Sequence, residues 1–108
     1  IGFWFALEDA TLENGCLWVL PGQHKNGLRS RFRRINGQLQ TETLPEAPSF
    51  DENDGTPLEV AAGTLVVLHG ALPHYSAANR SFKSRYAYTL HVIPGAAFYP
   101  KDNWLVPS

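Results

Sequence analysis

Arg85-Tyr86-Ala87-Tyr88-Thr89-Leu90-His91-Val92-Ile93 alternates bulky side chains with small or polar ones along its whole length. A period of two belongs to a β-strand, in which successive residues point to opposite faces. One face of this strand carries Tyr86, Tyr88, Leu90 and Val92 and is expected to be bulky core or sheet packing. The other carries Arg85, Ala87, Thr89 and His91, which is small and polar around one arginine. A strand over residues 1–7 repeats the scheme, with Phe3, Phe5 and Leu7 on one side and Gly2, Trp4 and Ala6 on the other. Two strands that each set one large side chain among small neighbours describe either the lining of a ligand-holding barrel or a tapered core.

Outward from these two segments, further short apolar runs predict strands over 16–20 and 64–69, with a weaker one over 58–61. The chain has 9 Gly and 8 Pro, too many interruptions for long helices, so the fold is expected to be all-β. Asn14-Gly15 stands between the first two strands and predicts a tight type I′ hairpin pairing them, because both residues tolerate positive φ. Residues 24–57 differ in kind. Lys25, Arg29, Arg31, Arg33 and Arg34 cluster there, followed by Glu42, Glu46, Asp51, Glu52 and Asp54 among prolines and glycines. This stretch reads as one long surface loop, the sort of excursion that forms lids or substrate-selecting segments.

Composition narrows the function. The 108 residues include 9 Lys+Arg against 10 Asp+Glu, for a net charge of −1, which is one ordinary domain at most. That balance lacks the basic excess needed to neutralise phosphates, so no nucleic-acid partner is expected. No apolar run approaches the roughly 20 residues of a membrane-spanning helix. A single cysteine, Cys16, makes no internal disulfide, and a cytoplasmic location is expected. The chain contains no methionine and opens on the apolar run Ile1-Gly2-Phe3-Trp4, so it is expected to be a piece of a longer protein.

Four histidines, His24, His69, His74 and His91, are the candidate metal ligands, and they lack the spacings of the familiar zinc motifs. The stretch Leu65-Val66-Val67-Leu68-His69-Gly70-Ala71-Leu72-Pro73-His74-Tyr75-Ser76 ends a strand and turns through Gly and Pro to place His74 just beyond it. Arg85 follows His74 by eleven residues. Were the two flanking strands antiparallel neighbours, His74 and Arg85 would share one wall of a cavity. A metal-binding imidazole beside a guanidinium that grips a carboxylate through two parallel N–H donors makes a coherent pair. For Arg85 the plain alternative is an ion pair with Glu59; for His74 it is an exposed turn. His69 and His91 read as structural, and His24 as a brace for the loop that follows it.

At these residues the sequence resembles the phytanoyl-CoA dioxygenase family of iron(II)- and 2-oxoglutarate-dependent oxygenases. The resemblance rests on Ala6-Leu7-Glu8-Asp9-Ala10-Thr11-Leu12-Glu13-Asn14-Gly15-Cys16-Leu17-Trp18, on Pro21-Gly22-Gln23-His24 and on Asn103-Trp104-Leu105. It covers residues 1–24 and 60–105 well and the 25–59 stretch poorly. It implies a partial double-stranded β-helix, or jelly roll, lacking its N-terminal strands, and an activity dependent on Fe(II) and 2-oxoglutarate. Carried over residue by residue, it implies that His74 is the distal iron ligand, that Arg85 binds 2-oxoglutarate with Ser76 as a hydroxyl partner, and that Trp4 stands beside the co-substrate. The acceptor is expected to be a small molecule whose identity lies in the poorly matching stretch.

One part of the family pattern is missing. No histidine here is followed two residues later by Asp or Glu, so the His-x-Asp half of the iron site is absent. It is expected either upstream of Ile1 or lost, and the chain alone is expected to be inactive, since one imidazole cannot hold iron. A different class of function stays open beside the oxygenase: a non-catalytic jelly-roll module in which Trp4, Trp18 and Tyr75 cradle an apolar or sugar ligand.

Overall fold

The computed structural model describes residues 1–106. Eight strands follow one another: β1 (Gly2–Ala6), β2 (Leu17–Val19), β3 (Ser30–Ile35), β4 (Gln38–Thr43), β5 (Thr56–Leu58), β6 (Leu65–Leu68), β7 (His74–Ser76) and β8 (Ala87–His91). They form two three-stranded antiparallel sheets, ordered β6-β1-β8 and β5-β2-β7, and a separate β3–β4 hairpin. The architecture is all-β, a partial jelly roll. Its core of Trp4, Ala6, Ala10, Cys16, Leu17, Val19 and Leu68 lies where the two three-stranded sheets face each other.

Register fixes which side chains share a face. Trp4 pairs with Val66 and Thr89, and Gly2 with Leu68 and His91, so these residues lie on one side of the first sheet. The buried members of that set turn it toward the core. Leu17 pairs with Ser76 and Val19 with His74. Because Leu17 and Val19 are buried, His74 and Ser76 stand on the core-facing side of the second sheet.

Four expectations are corrected. Strands one and two do not form a hairpin, since β1 and β2 sit in different sheets. Only Gly15 of the Asn14-Gly15 pair has positive φ, and the Asn14 side chain is buried and bonded to backbone instead. The type I′ signal operates at Asn36-Gly37, with φ of 51° and 81°, where it joins β3 to β4. Accordingly, residues 24–57 are not one loop: they hold β3, β4 and two single-turn 3-10 helices, Gln23–Asn26 and Glu52–Asp54. Both faces of the hairpin are largely wet, so no apolar alternation marks its strands.

The bulky face of β8 is turned away from the buried cluster of this chain. Tyr86, Tyr88, Leu90 and Val92 are exposed, whereas Ala87 on the opposite face packs against the buried cluster. Trp4 is buried on the same side of the sheet as Ala6 and Ala87, whose small side chains leave room for the indole. Finally, the strands flanking His74 and Arg85 are not neighbours. β6 and β8 lie on either side of β1, and His74 belongs to β7 in the other sheet.

Candidate functional site

Arg85 precedes β8 by two residues, so no ladder hydrogen bonds hold it. The flanking residues do so instead. The Glu8 carboxylate accepts from the Tyr86 amide at 2.8 Å and from the Ser84 hydroxyl at 2.8 Å. Those bonds, the backbone one first, hold the Glu8 carboxyl below its ordinary range. The Arg85 guanidinium then reaches across to the second sheet. Its Nε donates to the Gly15 carbonyl at 2.9 Å and its Nη2 to the Ser76 hydroxyl at 3.2 Å. The same group lies 5.6 Å over the Trp4 ring, within cation–π range. Arg85 therefore touches both Ser76 and Trp4. Glu59, the alternative partner, accepts from the Leu12 amide instead.

His74 lines a hollow of about 150 Å³ together with Gly2, Trp4, His69, Thr89 and His91. Its Nδ1 sits 2.9 Å from the Leu72 carbonyl. A carbonyl can only accept, so Nδ1 carries the proton and the Nε2 lone pair is left free, the state a metal ligand requires. His69 is in the opposite state. Its Nδ1 accepts from the Ala71 amide at 3.0 Å, which in the neutral ring leaves the hydrogen on Nε2. Of the two neighbouring imidazoles, the backbone prepares His74 for coordination and occupies the lone pair of His69.

The four residues inferred from the sequence thus gather between the sheets, Trp4 being the link between the Arg85 contact set and the His74 hollow. They do not complete a metal site. Among the described residues, no three His, Cys, Asp or Glu side chains are grouped to hold an ion. Iron therefore does not fit the described residues of this chain by themselves.

Several site residues were not singled out as functional. His91 and His69, read as structural, both line the hollow, and the His91 ring lies over Gly2 where a Cβ would meet it at 3.8 Å. The period of β8 already put His91 on the Arg85 face, which was the available signal. Gly15 and Leu72 act through backbone carbonyls, which leave no mark in side-chain type. Trp18 and Tyr75, candidates for a ligand cradle, stack on each other at 5.9 Å, and Trp18 packs against the buried cluster. Burial, reinforced by the Glu59 charge, pushes the Cys16 thiol up, so it is a packed and unreactive group.

Strand order and sheet pairing together define a partial jelly-roll domain. The chain belongs to the phytanoyl-CoA dioxygenase family: the family described as Phytanoyl-CoA dioxygenase (PhyH) matches residues 1–87. It is 47% identical to "Phytanoyl-CoA dioxygenase" of Arabidopsis thaliana over 96% of this chain and 36% of that protein. Identity to "Phytanoyl-CoA dioxygenase 1" of Oryza sativa subsp. japonica is 49%, over 96% of this chain and 37% of the relative. With "Phytanoyl-CoA dioxygenase domain-containing protein 1" of Rattus norvegicus it is 42%, over 100% of this chain and 38% of the relative. The chain thus spans little more than a third of the length of these relatives.

Proposed function

We propose that this chain is the C-terminal part of an iron(II)- and 2-oxoglutarate-dependent oxygenase domain, supplying one iron ligand, His74, and the co-substrate clamp, Arg85. The observation that carries the reading is the paired preparation of these groups. Leu72 frees Nε2 of His74, while Gly15 and Ser76 occupy one edge of the Arg85 guanidinium and leave its terminal nitrogens with donors to spare. Ser76 adds a hydroxyl beside the guanidinium, and Trp4 a flat apolar wall.

In the complete protein the overall reaction joins 2-oxoglutarate, dioxygen and a substrate C–H bond. One oxygen atom enters succinate as carbon dioxide leaves, and the other becomes the hydroxyl of the product. Iron supplies the oxygen chemistry, and the residues of this chain supply orientation, charge and a walled pocket. The acceptor is a small molecule. No helix among the described residues is long and apolar enough to cross a membrane. The lone cysteine supports assigning the protein to the cytoplasm.

The test uses the complete protein and follows iron-dependent succinate release. His74→Ala should abolish it, and Arg85→Ala should chiefly raise the 2-oxoglutarate requirement. Full turnover in the His74 variant would overturn the metal assignment.

A further inference from the structure

We infer that the corner Glu13-Asn14-Gly15 positions the Arg85 guanidinium, Gly15 and Asn14 acting as positioning residues for recognition of the distal carboxylate of the co-substrate. The inference rests on the reading of Arg85 given above. Arg85 stands outside the strand ladder, so something else must set its place. Glu8 holds the residues on either side of Arg85, and three consecutive corner residues hold the segment and the guanidinium itself. The Glu13 carbonyl accepts from the Arg80 amide at 2.9 Å, the Asn14 amide donates to the Ser84 carbonyl at 3.2 Å, and the Gly15 carbonyl accepts from Arg85 Nε at 2.9 Å.

Asn14 is 4% exposed, and its side chain is fully engaged. Besides Ser84 it donates to the Asp9 carbonyl at 2.7 Å and accepts from the Thr11 amide at 2.7 Å, which ties the end of β1 to the approach to β8. Gly15 has φ +89°, a conformation that side chains with a Cβ avoid, and a Cβ there would sit 3.0 Å from the Ala77 carbonyl. Ala77 directly follows Ser76. One glycine therefore packs against the end of β7 and presents the acceptor that orients Arg85.

The consequence is geometric. A guanidinium has five N–H donors in a plane, and fixing Nε on Gly15 fixes the rotation of that plane. Nη1 and the second hydrogen of Nη2 remain as a side-by-side pair, the arrangement that grips a carboxylate. Without the corner, Arg85 keeps its charge and its bond to Ser76 but loses the acceptor on Nε that fixes its plane.

The experiment measures dissociation constants on the complete, metal-loaded protein for 2-oxoglutarate and for 2-oxobutyrate, which lacks the distal carboxylate. Their ratio reads carboxylate recognition and is insensitive to a general loss of stability. Gly15→Ala is expected to lower the preference for 2-oxoglutarate about tenfold, the size of one misaligned charged hydrogen bond. Asn14→Ser removes the two amide donors without adding bulk beside Ala77, should lower the ratio in the same direction, and carries the test if Gly15→Ala does not fold. Arg85→Gln calibrates the assay. If Arg85→Gln leaves the ratio unchanged, the co-substrate reading itself fails. If Arg85→Gln collapses the ratio while the corner variants that fold preserve it, the positioning inference is overturned and the reading of Arg85 stands.

Discussion

Replacing Gly55 with alanine isolates a steric contact behind the strand that bears His74. Gly55 has φ −65° and ψ 144°, ordinary extended backbone, so alanine there carries no conformational penalty. On backbone grounds alone it would stabilise by about 0.4–1 kcal/mol, through a less disordered unfolded chain. The added Cβ, however, would stand 2.6 Å from the Tyr75 hydroxyl, 3.0 Å from the Glu52 carbonyl and 3.3 Å from Trp18. Overpacking of this kind costs about 1–3 kcal/mol. Displacing Tyr75 from its 3.0 Å bond to Glu52 adds about 1 kcal/mol. The opposing terms leave a net destabilisation of about 2 kcal/mol. Chemical denaturation of the complete protein carrying Gly55→Ala, Tyr75→Phe and both changes checks it. Removing the hydroxyl removes the closest clash, so the double variant should be more stable than the sum of the singles implies, by about 1 kcal/mol. Strict additivity, or a Gly55→Ala variant as stable as the parent, would refute the packing argument.

Two other outcomes follow from single contacts. Gly37→Ala places a Cβ at φ 81° in the β3–β4 turn and should destabilise by about 1 kcal/mol or more, read by the same denaturation; Gly70→Ala, at an exposed glycine with open space around it, should not. Glu8 has a folded-state pKa below its unfolded value of about 4.3, so its contribution to stability is complete above that value. It is lost as pH falls through the lower folded-state value. A pH series of melting temperatures should show the parent losing its advantage over Glu8→Gln on acidification below that range, and an advantage that persists or grows there would contradict the two hydrogen bonds assigned to Glu8.

Much of the candidate site is legible from spacing, because its polar groups come from short segments. His74 and Ser76 are two residues apart and must share a strand face, whatever sheet that strand joins. The identity of the strand neighbours was not legible. Asn14-Gly15 and Asn36-Gly37 are the same dipeptide, yet one closes a hairpin and the other turns the chain from one sheet to the next. The difference lies in a buried amide that bonds to Asp9 and to Ser84, the latter seventy residues away. Local turn propensity contains no term for that contact. Likewise, the alternation in β8 separated its two faces correctly without saying which of them meets the buried cluster of this chain. Bulk favours burial in general, but here the small side chain of Ala87 lies on the side that holds the Trp4 indole.

The order of side chains along the chain, acting through the period of two, settled an all-β class and put Trp4 and Arg85 each among small residues. Pairing of strands, the joining of Arg85 to Ser76 from opposite sheets, and the proton placement on His74 and His69 were decided only in three dimensions. These depend on backbone carbonyls and amides, which every residue carries alike, so their roles are set by where the folded chain brings them and not by which side chains they bear.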